Sequence, residues 1–210
     1  MGKNKLSSKK RENILQNILF FNRWAKNYDL SIFKFWMRQF QKPVYRIISN
    51  KKNLRILDIS CGTGELLKAL QEKNKRTELY GIDISTNMLS IAKKKLPESV
   101  KLVKADVHKI PFQKNFFDYT ITTEAFHHYY NQKKAIIEMT RVTKNNGEII
   151  VIDVNFYLRF IHWLFEKIEP GCVKVNTRKE MKVLFQQAGI KNIEQKRNFV
   201  FSVMTVGKKV

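Results

Sequence analysis

Cysteine, proline and acidic residues are all scarce in this chain, and no long uninterrupted apolar run occurs. The two cysteines, Cys61 and Cys172, lie far apart and outside any C-x-x-C spacing, which excludes a disulfide framework and a cysteine-rich zinc site. No metal is expected, and the compartment should be reducing. No stretch approaches the roughly 20 apolar residues of a membrane-spanning helix, and no signal-peptide core precedes the first aromatic cluster. A soluble, unexported, cytoplasmic protein is the expectation. The opening MGKNKLS also misses a myristoylation signal, because Leu6 stands where Ser or Thr is required and Ser7 comes one residue late.

Against 18 Asp+Glu the chain carries 40 Lys+Arg, a formal net charge of +22. Such a charge attracts polyanions such as RNA, DNA or anionic lipid headgroups over about a Debye length. It bears on partners and solubility, not on fold. No nucleic-acid-binding module accompanies it, so RNA is not the favoured partner. At 210 residues, 43% hydrophobic and 28% charged, the composition fits one globular domain or a domain with an appendage.

The first dozen residues set Lys3, Lys5, Lys9, Lys10 and Arg11 against Glu12 alone and read as a solvated arm. From Ile14 to Ile48 apolar and aromatic residues recur at helical steps, with Pro43 expected to break that run before a further helix. After Asn53 short β runs alternate with helical stretches, the pattern of βαβ units around a parallel sheet. Strands are predicted at 55–59, 78–82, 100–104, 118–122 and 148–153, the last opened by the turn Asn145-Asn146-Gly147. Helices are predicted at 65–72, 86–95 and 132–142. An aromatic helix at 156–168, a helix at 177–188 and β runs at 190–196 and 199–206 complete the chain.

The first strand runs into Asp58-Ile59-Ser60-Cys61-Gly62-Thr63-Gly64-Glu65. Glycines in a strand-to-helix turn let backbone approach a ligand closely. A dinucleotide fingerprint would need glycines at 60, 62 and 65, and Ser60 and Glu65 fail it. Glu65 would also stand where a helix N-terminus holds a pyrophosphate. Asp83, at the end of the second strand and nineteen residues after Gly64, is placed to accept both hydroxyls of a ribose. A nucleoside without phosphates satisfies both facts.

These residues, together with Gly81-Ile82-Asp83-Ile84-Ser85, Met88, Lys104-Ala105-Asp106 and the run from Phe117-Asp118 to His128, resemble the class I S-adenosylmethionine-dependent methyltransferases, in particular the ubiquinone and menaquinone methyltransferase branch. Glu138, Arg141, Val142 and Asn146-Gly147 extend the likeness. It implies an α/β fold: a doubly wound, Rossmann-like seven-stranded sheet with its last strand antiparallel and a helical N-terminal cap. Residues 1–53 would form the basic arm and cap, and 54–210 the methyltransferase domain with a substrate-cap segment near 154–170. The implied cofactor is S-adenosyl-L-methionine. Asp58 and the loop from Ser60 through Gly62 to Gly64 would hold its methionine part, with Thr123 beside it. Asp83 would take the ribose, Ile84 and Met88 the adenine faces, and Asp106 with Val107 the adenine edge. Ser60 departs from the family's usual first glycine, and serine there costs on the order of 1 kcal/mol if φ is positive. Tyr28 resembles a residue of the segment that folds over the cofactor in relatives, and reads equally as a core aromatic.

Methyl transfer is an in-line displacement in which alignment and desolvation supply much of the acceleration. A base is needed only if the acceptor must lose a proton. His128 is the better base candidate of the pair His127-His128, against the reading of both as loop structure. Phe156, Tyr157, Phe160, Trp163 and Phe165, with Phe33, Phe35, Trp36 and Phe40, could wall a pocket for a small, apolar, lipid- or quinone-like acceptor, could be core, or could touch an anionic membrane peripherally with the basic arm. An RNA methyltransferase and a non-catalytic, cofactor-binding partner subunit are the competing functions.

Overall fold

A computed structural model describes residues 15–19, 21–22, 31–48, 53–74 and 76–210. Residues 15–19 and 21–22 are helical, and helix α1 spans Ser31–Ile48. Strand and helix then alternate: β1 (Arg55–Ile59), α2 (Glu65–Lys73), β2 (Glu78–Asp83), α3 (Thr86–Lys95), β3 (Lys101–Lys104) and β4 (Phe117–Thr123). A 3-10 turn at Phe126–His128 leads to α4 (Gln132–Val142) and β5 (Thr143–Val154). The chain ends in α5 (Arg159–Ile168), α6 (Arg178–Gln187), β6 (Ile190–Asn198) and β7 (Ser202–Lys209).

The seven strands form one sheet in the order β3-β2-β1-β4-β5-β7-β6. The first five are parallel, while β7 runs antiparallel to both β5 and β6. The expected doubly wound architecture is the one observed. Side-chain alternation divides the core between the two faces of the sheet. Leu57, Ile149 and Val151 pack with Ala135 and Met139 of α4 and Met181 and Phe185 of α6. Ile56, Ile150 and Ile152 pack on the other face with Val44 and Ile48 of α1, Leu67 of α2 and Ala92 of α3. Burial on both faces explains why these strands read as nearly continuous apolar runs. Both cysteines are free thiols.

Three expectations need correction. Pro43 does not break the helix: α1 continues through it to Ile48. The lost N–H is tolerated because Val44 and Ile48 beyond it are fully buried against the sheet. Asn198 also donates its side-chain N–H to the Phe40 carbonyl at 2.6 Å. The Asn145-Asn146-Gly147 turn lies within β5 and not before it, as an irregularity between the Phe117–Thr143 and Tyr119–Glu148 pairs, with Asn146 at φ 63°. Finally, residues 199–201 turn the β6–β7 hairpin, with Phe199 at φ 55°, although they look like strand in sequence.

Candidate functional site

The carboxyl ends of β1, β2 and β4 face one edge of the sheet, and the turn after β1 is the most constrained element there. Ser60 takes φ 59°, the left-handed conformation that the usual glycine would adopt freely. Its hydroxyl shares a hydrogen bond of 2.9 Å with the Tyr129 hydroxyl, which shares another of 2.8 Å with Thr122. Gly62 donates its N–H to Asp83 Oδ2 at 2.9 Å, and Ser85 donates its N–H to Oδ1 at 2.8 Å. Asp83 is thus more than a strand-end carboxylate: it ties the glycine turn to the start of α3. Gly64 opens α2 at φ 81°, and a Cβ there would fall 2.7 Å from Leu96 Cδ1.

Between these turns lies a cavity of about 800 Å³ including its open mouth. It is lined by Ser60, Gly62, Asp83, Ile84, Met88, Asp106, Val107, Thr123 and His128. Nine residues read from the sequence as cofactor or catalytic groups therefore share one space. Two others do not line it. Asp58 is buried behind the turn, and Gly64 shapes the turn from outside the cavity. Tyr28 lies outside the described residues. Among the described residues, the aromatic lining comes from Phe21, Tyr129 and Tyr130, and no residue of α5 contributes to it.

Several residues that close the site escape sequence reasoning. Asp106 accepts from the His108 backbone N–H at 2.9 Å, meets His108 Nδ1 at 2.5 Å and accepts from the Tyr130 hydroxyl at 3.2 Å. The rings of His108 and Tyr130 stack with centroids 3.6 Å apart. Burial opposes ionisation of Asp106, but these partners outweigh it and hold its carboxyl below the usual range. From the N-terminal helical segment, Asn22 accepts the Ser85 hydroxyl at 2.6 Å, and Asn17 donates to the His128 carbonyl at 3.2 Å. The nearest sequence signal was the proximity of His108 to Asp106. Nothing local marks Asn17, Asn22 or Tyr129.

The histidine pair divides. His127 holds Asp153 through an Nδ1–Oδ1 contact of 2.6 Å, both side chains being buried, and its ring stays outside the cavity lining. His128 faces the cavity, and its Nδ1 makes no well-formed hydrogen bond. Burial and the neighbouring His127, opposed by the Gly171 backbone, push the His128 pKa well below the usual imidazole range, so the ring is neutral near pH 7. Glu124, also on the cavity, sits at φ 53°. Burial and then the charge of Asp153 raise its carboxyl far above the usual range. Burial likewise raises Asp58 and Asp83, Asp58 further through Asp83. Among the described residues, His127, His128 and Glu169 bring one potential ligand atom each within 4.8 Å of one another, a grouping that cysteine spacing did not address.

In a chain with only 18 acidic residues, Asp58, Asp83, Asp106, Glu124 and Asp153 collect at one edge of the sheet. Backbone N–H groups and apolar walls surround them. On the cavity itself, the acceptors Asp83 and Asp106 suit a cationic nucleoside with polar ribose hydroxyls.

Residues 57–151 match the family described as Methyltransferase domain. The demethylmenaquinone methyltransferase of Staphylococcus carnosus (strain TM300) is 28% identical over 225 residues, covering 93% of this chain and 91% of the relative. A SAM-dependent methyltransferase structure from Aquifex aeolicus superposes with a TM-score of 0.73 at 21% identity, covering 90% of this chain and 98% of the other. One from Thermotoga maritima gives 0.74 at 18% identity, over 92% and 99%.

Proposed function

We propose that this chain, which matches a methyltransferase domain over residues 57–151 and shares the fold of S-adenosylmethionine-dependent methyltransferases, methylates a small, apolar, quinone-like acceptor. The observation that carries this reading is the composition of the cavity: acidic groups and turn N–H groups on the side of Asp83, and Phe21, Ile59, Ala125 and Val107 on its apolar walls. The full-length similarity to a demethylmenaquinone methyltransferase supports the same acceptor class.

S-adenosylmethionine, when bound, supplies an electrophilic methyl group on a sulfonium. In this reading Asp83 accepts the ribose hydroxyls through lone pairs left free by Gly62 and Ser85. Ile84 and Met88 would hold the adenine through apolar contact, and Asp106 with Val107 would supply its polar partners. Ser60, Gly62 and Thr123 border the methionine part. Asp58 and Gly64 act through the turn: one is buried behind it, and the other gives the chain the φ it needs to enter α2. The apolar walls exclude water from the transfer. His128, neutral and on the cavity lining, takes the acceptor's proton where the acceptor must lose one.

The decisive experiment supplies methyl-labelled S-adenosylmethionine to the purified chain with a demethylated naphthoquinol, an RNA pool and a protein pool. Label is expected in the quinol fraction. With His128→Ala, turnover should drop by about 10²-fold or more while cofactor affinity stays within a small factor. Label confined to RNA would overturn the acceptor class, and unchanged turnover in the variant would leave His128 as loop structure.

A further inference from the structure

We propose that the outward face of α5 docks this protein on an anionic lipid bilayer. A helix on a water-exposed surface normally turns its apolar residues inward and its charges outward. In α5 apolar side chains stand among the outward ones as well. The exposed positions are Arg159, Phe160, Trp163, Leu164, Lys167 and Ile168, which recur at the steps that place them on one side of a helix. Phe160 is 66% exposed, Trp163 53%, Leu164 40% and Ile168 67%. The rings of Phe160 and Trp163 stack on each other, with centroids 5.8 Å apart.

The helix's own acid is the side chain turned in. Glu166 accepts the Val175 N–H at 2.8 Å. Also on the inner side, His162 bonds the Phe156 carbonyl at 3.0 Å, and Phe165 meets the His127 ring edge-on at 5.9 Å. The inner side of the helix thus holds its own contacts, apart from the outward residues. Four apolar side chains flanked by two cations, with no anion among them, match the layered chemistry of a headgroup boundary. Ten residues span about 15 Å, enough for the helix to lie in that plane.

Charge selects the occupant. A second copy would bring Arg159 and Lys167 toward another chain of net charge +22, which like-charge repulsion opposes. RNA would satisfy the cations but leave Leu164 and Ile168 facing ribose and phosphate. An anionic bilayer answers both the cations and the aliphatic residues.

Flotation of the full-length protein with phosphatidylcholine vesicles, with and without phosphatidylglycerol, tests this without any methyl acceptor, so its outcome is independent of the acceptor class. Wild type should float with the phosphatidylglycerol vesicles and retain part of that binding at high salt. Phe160→Ser/Trp163→Ser leaves the charge unchanged and should weaken binding by about tenfold or more, with cofactor affinity and melting temperature preserved. Arg159→Gln/Lys167→Gln should weaken binding and flatten its salt dependence. Wild type that stays unbound at low salt would overturn the proposal. So would wild-type binding by Phe160→Ser/Trp163→Ser, which would assign attachment to diffuse charge alone. Self-association abolished by that variant, without vesicle binding, would assign the face to a second copy and overturn it too.

Discussion

Ser60 combines a cost with a compensation at one residue. Its left-handed backbone costs about 1–2 kcal/mol relative to a relaxed conformation, while its hydroxyl bonds Tyr129. Ser60→Ala keeps the strain and loses the bond, and urea unfolding should show it destabilised by about 0.5–1.5 kcal/mol. Ser60→Gly loses the bond but also the strain, and should unfold at higher urea than Ser60→Ala. Reversal of that order would remove strain from the account. Glu124 poses a second test through its protonation. Its folded-state pKa is raised by burial and by Asp153, so above the unfolded carboxyl's pKa the unfolded state holds fewer protons than the native one. Stability then falls as pH rises through that window. Glutamine cannot titrate, so the melting-temperature gain of Glu124→Gln over wild type should be larger near pH 8 than near pH 5. An equal difference at both would contradict a buried, protonated carboxyl.

Helix α6 owes its start to a capping box: the Glu180 N–H donates to the Thr177 hydroxyl at 3.2 Å, and the Thr177 N–H donates to Glu180 Oε2 at 2.9 Å. Burial works against ionisation of Glu180, but the Thr177 N–H, Lys174 and the Thr177 hydroxyl prevail and hold its carboxyl at about 2. Thr177→Ala should cost about 1 kcal/mol in thermal unfolding, and no loss would mean that α6 is held by Met181 and Phe185 alone. Such local chemistry is what made elements legible in the sequence. The Ser85 cap starts α3 where its pattern says, and α4 begins after Asn131, whose side chain accepts the Lys134 N–H. Where tertiary forces decide, the sequence misleads. Pro43 forbids a hydrogen bond locally, yet burial of Val44 and Ile48 carries α1 past it. Phe199, Val200 and Phe201 have strand-like side chains, yet the hairpin must reverse there. The site divides in the same way: strand-end acids and the glycine turn announce themselves at short spacing, whereas Tyr129, Asn22 and the placement of Asp58 behind the turn arise from pairings across the sheet edge.

Across the whole molecule, positive charge is spread along the chain, while Asp83, Asp106 and Glu124 line the cavity. Burial raises Asp83 and Asp58, and a bound sulfonium would favour their ionised forms. Affinity for S-adenosylmethionine should therefore weaken as pH is lowered through the range in which these carboxyls take up protons, with protons released on binding there. Calorimetry in buffers of different ionisation enthalpy would detect that release, and a pH-independent affinity with no release would exclude it. The same cavity carries a consequence for the timing of synthesis. One of its closing bonds joins Asn17 to His128, 111 residues later in the chain. At roughly 5–20 residues per second, the ribosome delivers the second partner about 5–20 s after the first. Throughout that interval the N-terminal segment has neither His128 nor, at first, Ser85 to hold. Binding competence therefore arrives late in translation, after β1 and β2 are already available to pair.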